Sequence, residues 1–154
     1  MASYDPLTTA LALSPGPTCP NEDEGLVVGM SNRIRIQQDL TANGVIDAAG
    51  EDVTYAQSGN RIVRTDNVTN SIAVLVENVD ANGFVVRYFD GSTPPVEAVP
   101  AGTPAALTQD QRACVEKVQL EIHSRIDDPY PTRPDLHSVV RSMVAIRNRS
   151  LGKF

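Results

Sequence analysis

The sequence predicts a mainly β fold, an α+β head built from antiparallel sheets with short helices near residues 6–13 and 108–114. Three observations carry this. Apolar and polar residues alternate over short runs: Ile34 and Ile36 against Arg35 and Gln37, then Val118, Leu120 and Ile122 against Gln119, Glu121 and His123. That is the two-residue period of half-buried strands. The runs are separated by Asn43-Gly44, Ser58-Gly59-Asn60 and Asn82-Gly83, residues that tolerate positive φ where a chain reverses. Finally, Gly 10 and Pro 11 among 154 residues interrupt the chain too often for long helices. A chain of this length supports one core, so residues 1–154 are read as a single globular head.

Residues 1–25 read as an irregular N-terminal segment. Asp5-Pro6 is a helix-start signal for a short helix over 6–13, and Ser14 to Glu24 (SPGPTCPNEDE) is a surface loop. The apolar run Gly25 to Met30 predicts a strand. Arg33 to Arg64 follows as a β-meander: an alternating strand, a polar loop, then Val53 to Gln57 and Arg61 to Arg64 joined across Ser58-Gly59-Asn60.

Ser71 to Val79 contains Ile72-Ala73-Val74-Leu75-Val76, read as a buried strand. Asp80-Ala81-Asn82-Gly83 then reads as the hairpin turn into a strand from Phe84 to Phe89. Residues 90–107 form a loop whose Pro94, Pro95, Pro100 and Pro104 exclude it from a sheet interior. Thr108 is an N-cap for the second short helix. From Lys117 the period returns to two. Asp127 to Pro131 breaks the strand, and His137 to Arg149 returns as the second arm of a long C-terminal β-hairpin.

The net charge of −6 argues against general binding to nucleic acid or anionic membrane. The charge is uneven, however. Residues 1–60 hold eight acidic groups against Arg33 and Arg35, whereas 133–154 hold Arg133, Arg141, Arg147, Arg149 and Lys153 against Asp135. Such a layout suits subunit contacts, or is simply a solvated strand face; DNA capture by the basic C-terminal strand would be an elaboration of it. No run approaches the ~18 apolar residues of a membrane span, and the N-terminus lacks the basic flank and apolar core of a signal peptide.

The chain is read as a non-enzyme without a committed cofactor, because Gly-x-Ser-x-Gly, the P-loop, Gly-x-Gly-x-x-Gly, His-Glu-x-x-His and Cys-x-x-Cys are all absent. Asp39, Asn43, Asp47 and Glu51 are the candidate Ca²⁺ ligands, oxygen donors spaced around a glycine turn. Thr41 and Gly50 depart from the EF-hand pattern, and a hydrogen-bonded Asx-turn loop is the alternative. His123 and His137 would face one another in a hairpin symmetric about Tyr130, and are read as polar-face residues because nothing completes a metal site. Cys19 and Cys114 form either a disulfide or two buried thiols.

Several patches resemble the globular heads of PilW-type minor pilins and type II secretion pseudopilins. They comprise the meander with Asn43-Gly44, Gly50-Glu51-Asp52, Thr54-Tyr55 and Gly59-Asn60-Arg61-Ile62; the strand ending in Tyr88-Phe89; and Val144-Ala145-Ile146-Arg147-Asn148. In that family a long N-terminal helix precedes the head, and Ala2-Ser3-Tyr4 looks like the point where it ends. The resemblance implies a structural subunit of a type IV pilus or pseudopilus, in the cell envelope or an extracellular filament. It would dock on a pilin helix and on neighbouring pilin subunits as a hetero- or homo-oligomer, its own helix removed by truncation or carried on a separate helical subunit. Tyr4, Leu7, Leu11 and Leu13 are then the candidate interface residues. The alternative is a ligand- or carbohydrate-binding β-sandwich module of a secreted protein.

Overall fold

A computed structural model describes residues 25–127, 130 and 134–145. Alternation and turn chemistry produce the first layer directly. The strands β1 (Leu26–Met30), β2 (Arg33–Gln37), β3 (Asp52–Ser58), β4 (Arg61–Asp66) and β5 (Ser71–Val76) pair antiparallel in sequence order as a five-stranded meander. The second layer comprises β6 (Val79–Phe89), β7 (Glu97–Ala98), β8 (Lys117–Ile126) and β9 (Leu136–Ala145), in the order β7-β6-β8-β9. Between β7 and β8 lies one five-residue helix, α1 (Gln109–Ala113). The protein is therefore mainly β, with two antiparallel sheets and the expected C-terminal hairpin.

The core forms where the layers meet. Ile34 of β2 and Ile62 of β4 join Val79, Phe84, Val86 and Tyr88 of β6 and Val118 of β8, with Leu107 and Val115 flanking α1. Fully burying one such side chain contributes about 1.5–3 kcal/mol, so this cluster is the main cohesive element. Thr108 caps α1 through a capping box: Gln111 N donates to Thr108 Oγ1 at 3.2 Å, and Thr108 N donates to Gln111 Oε1 at 2.9 Å. No residue of α1 itself is buried, so its contribution is to seat Leu107 and Val115. Gly29 lets Leu107 approach β1. A Cβ there would lie 2.8 Å from Leu107 Cδ1 and 3.2 Å from the Tyr88 ring.

Four expectations are corrected. Asp80 to Gly83 is not a hairpin turn between β5 and β6, because those strands lie in different sheets. The segment is a bulge within β6, where the register on β8 jumps from Val79↔Ser124 to Phe84↔Ile122. The chain instead leaves the first sheet at Glu77 and Asn78, and Asn78 takes φ 59. Crossing over is favoured physically: a sixth strand on the meander would leave Phe84, Val86 and Tyr88 in water, whereas a second layer buries them.

β5, read as buried, is an exposed edge strand, and Ile72, Val74 and Leu75 are all solvent-accessible. A continuous apolar run does not distinguish a central strand from an edge lying outside the opposite layer. The loop over 90–107 contains the short strand β7, held at the sheet edge by pairing with Tyr88 and Phe89. His123 and His137 are not opposite one another: His123 faces Val139 and His137 faces Arg125, because the hairpin register is shifted from symmetry about Tyr130.

The expected helix over 6–13, the N-terminal segment up to residue 24, Tyr4, Leu7, Leu11, Leu13 and Cys19 lie outside the described residues, as do Arg147 and Arg149. Among the described residues no helix is long and apolar enough to cross a membrane.

Candidate docking surface

The loop from Gln38 to Gly50 was the candidate cation site, and its carboxylates are committed to the protein. Glu51 is fully buried. Its Oε1 accepts the backbone N–H groups of Leu40 at 2.9 Å and Thr41 at 3.0 Å, and its Oε2 accepts those of Asp47 at 2.9 Å and Ala48 at 2.8 Å. These donors, the Ala48 amide foremost, hold the Glu51 carboxyl down from its ordinary 4.5 to about 2. Asp39 accepts from Gly44 N at 2.7 Å and Asn43 N at 3.3 Å, and Asn43 Nδ2 donates to Asp47 Oδ1 at 3.2 Å. The loop is thus wound around Glu51, drawn together by the Asp39 carboxylate, and turned by an Asx turn at Asn43, whose Oδ1 accepts from Val45 N at 2.8 Å. Among the described residues no group of three or more His, Cys, Asp or Glu side chains converges as a metal centre.

Two further buried carboxylates brace the same end of the first sheet. Asp52 accepts from Arg35 Nε and Gln37 Nε2, both at 2.8 Å, and from Asn67 Nδ2 at 2.7 Å. The Arg35 guanidinium, the largest influence, pulls the Asp52 carboxyl well below the usual range. Asp66 accepts from Thr69 N and Val68 N at 3.1 Å and from Gly50 N at 2.7 Å, and its carboxyl is lowered by those amides, Thr69 first. These residues organise turns.

Sequence reasoning missed the more informative surface. Side chains on β8 and β9 alternate, so Val118, Leu120, Ile122 and Ile126 share the core-facing side of the second sheet with Val144, Val140 and Leu136 of the next strand. On β6 and at Val118 this side is buried. At the far edge it is not: Ile126 is 60% exposed, Leu136 65%, Val140 57% and Val144 49%. The inner face therefore continues beyond the described strands of the first sheet as a row of exposed aliphatic side chains, interrupted on β9 by Ser138 and Ser142. On the opposite face Val139 and Met143 are also exposed. One signal was legible: Val139-Val140 and Met143-Val144 break the polar/apolar alternation that a one-sided strand would show.

The outer face of this hairpin carries its charge. Glu121, directly opposite Arg141, is almost fully buried; its Oε2 accepts Arg141 Nε at 2.7 Å and its Oε1 accepts an Arg141 terminal nitrogen at 3.2 Å, with His123 Nε2 also against Oε1. Arg141, and secondarily His123, lower the Glu121 carboxyl, and the same pairing raises the Arg141 guanidinium. The guanidinium is thereby engaged within its own sheet. Cys114, the C-terminal cap of α1, is disulfide-bonded, whereas Cys19 lies outside the described residues.

The described surface thus offers a row of exposed aliphatic residues along a sheet margin, with the Glu121, His123 and Arg141 cluster on the opposite face of the same hairpin. No family model matches the chain, and neither a curated protein nor a solved structure matches it.

Proposed function

We propose that this protein is the head of a filament subunit of the minor pilin or pseudopilin kind, whose second sheet closes over an amphipathic helix supplied from outside the described residues. The single observation behind this reading is the strip Ile126, Leu136, Val140 and Val144, core-facing in direction yet open to water. A row of exposed aliphatic side chains on a core-facing side, here alternating with Ser138 and Ser142, marks a place where something docks. From Leu136 to Val144 the strip runs roughly 27 Å, eight steps of about 3.4 Å. That length matches about 18 residues of α-helix at 1.5 Å each. Neighbouring heads, a cell-envelope location and assembly into a pilus or pseudopilus belong to the same proposal. A sugar-binding module is less well supported, since Phe84 and Tyr88 are buried and, among the described aromatic residues, Tyr130 alone is largely exposed, too few rings to line a trough.

The test is a calorimetric titration of the chain with an apolar, amphipathic pilin-type helix peptide. Saturable binding is expected, weakened at least tenfold by Val140→Asp and unaffected by Ile72→Asp on β5. No heat of binding, or equal binding by both variants, would remove the helix-docking reading.

A further inference from the structure

Among the described residues the two sheets have four edge strands, and three of them carry a device that discourages pairing with another chain. β1 has a register irregularity between Leu26 and Val28 and is overlaid by the segment leading into α1, whose Leu107 N donates to Gly29 O. β5 has a register irregularity opposite Ile62 and Val63. β7 is two residues long. β9 has none of these. It is ten residues long, pairs with β8 in unbroken register from Lys117↔Ala145 to Ile126↔Leu136, contains no proline, and is exposed throughout. Its one formal charge, Arg141, is held by Glu121 of its own sheet.

The sequence of β9 also indicates what would pair with it. Its inner-face residues are Leu136, Ser138, Val140, Ser142 and Val144. This pattern is symmetric about Val140: apolar, serine, apolar, serine, apolar. Laid antiparallel on itself about a two-fold axis at Val140, the strand would place Leu136 opposite Val144, Ser138 opposite Ser142, and Val140 opposite its own copy. On the outer face, His137 would meet Met143 and Val139 would meet Arg141. No like charges oppose one another, and every inner-face pair matches in polarity, which is what cross-strand pairing rewards. A two-fold interface requires this kind of self-complementarity.

We propose that β9 is the seam of a symmetric homodimer, joining the four-stranded sheets of two copies edge to edge in the register centred on Val140. The pairing uses the backbone edge of β9 and leaves the inner face free, so it is independent of helix docking and either can fail alone. In the dimer the two aliphatic strips lie side by side.

Sedimentation velocity of the full chain over increasing concentration tests this. The mass is expected to approach twice the 16.6 kDa of one chain. Val140→Lys, which sets two ammonium groups on the axis, should stay at monomer mass throughout with an unchanged circular dichroism spectrum, because Val140 is exposed. The register is read by mild oxidation: Val140→Cys should give a covalent dimer, Leu136→Cys alone should not, and Leu136→Cys with Val144→Cys should. A wild-type chain that remains monomeric to its solubility limit, a Val140→Lys variant that still dimerises, or equal cross-linking by Val140→Cys and Leu136→Cys would overturn the proposal.

Discussion

The hydroxyl of Tyr88 donates to the carbonyl of Met30 at 2.8 Å, with Arg33 O a second acceptor at 3.3 Å, while its ring is fully buried in the core. Burial raises the phenol's pKa, so it remains a donor at all ordinary pH. One residue of the second sheet thereby satisfies the turn between β1 and β2. Tyr88→Phe keeps the packing but takes a donor from the half-buried Met30 carbonyl, which should cost about 1 kcal/mol. Urea denaturation measures this, and an unchanged midpoint would show that water replaces the hydroxyl. The sequence displayed Tyr88 within an aromatic pair at a strand end, but nothing in it pointed to Met30. A partner so distant along the chain is set by how two sheets stack, which local periodicity does not encode. Glu51 was legible only in part: its place in a turn-rich acidic loop was visible, whereas its role as the acceptor for four backbone amides depends on the loop's path.

Strands proved easier to read than connections. Alternation located β2 and β8 within a residue or two, because one buried face and one wet face impose the two-residue period, and the turn signal Ser58-Gly59-Asn60 located β3 and β4 as closely. Asp80-Ala81-Asn82-Gly83 misled because positive φ at Asn82 and a following glycine serve a bulge as well as a hairpin turn. Gly83 is needed here for space: a Cβ would lie 2.6 Å from His123 O and 2.9 Å from Asp80 O, both backbone atoms that cannot yield as a flexible side chain would. Gly83→Ala should therefore force β6 away from β8 and destabilise the fold by about 1–3 kcal/mol, read as a lowered thermal midpoint. Wild-type stability in this variant would mean that the bulge rearranges at little cost.

At the scale of the whole molecule, stability should depend on acidity. Glu51, Asp52, Asp66 and Glu121 all have carboxyl groups held below their ordinary values by bonds that exist only in the folded state. A depressed carboxyl binds protons less readily when folded than when unfolded, so its contribution is complete above the unfolded value and is lost as pH falls through the folded one. For Glu51 that window runs from 4.5 down to about 2. The thermal midpoint should be level near neutrality and fall steadily below about pH 4.5. Glu51→Gln should lower the neutral value and flatten the acid slope; an identical slope in this variant would exclude Glu51 as a contributor.

The passage from β5 to β6 through Glu77 and Asn78 divides the polypeptide in a particular way. Among the described residues every ladder of the first sheet lies before it and every ladder of the second after it. Scission of the peptide bond between those two residues would sever no strand from its neighbour. Once the Cys114 disulfide is reduced, the fragments would be rejoined by interdigitated core side chains, by the Gln57 amide reaching Asp80 and Phe84, and by isolated backbone links such as Val79 N to Asn60 O and Val86 N to Ser31 O. The molecule is in this sense two separately woven cloths pressed together, and reconstitution from complementary halves is topologically open to it.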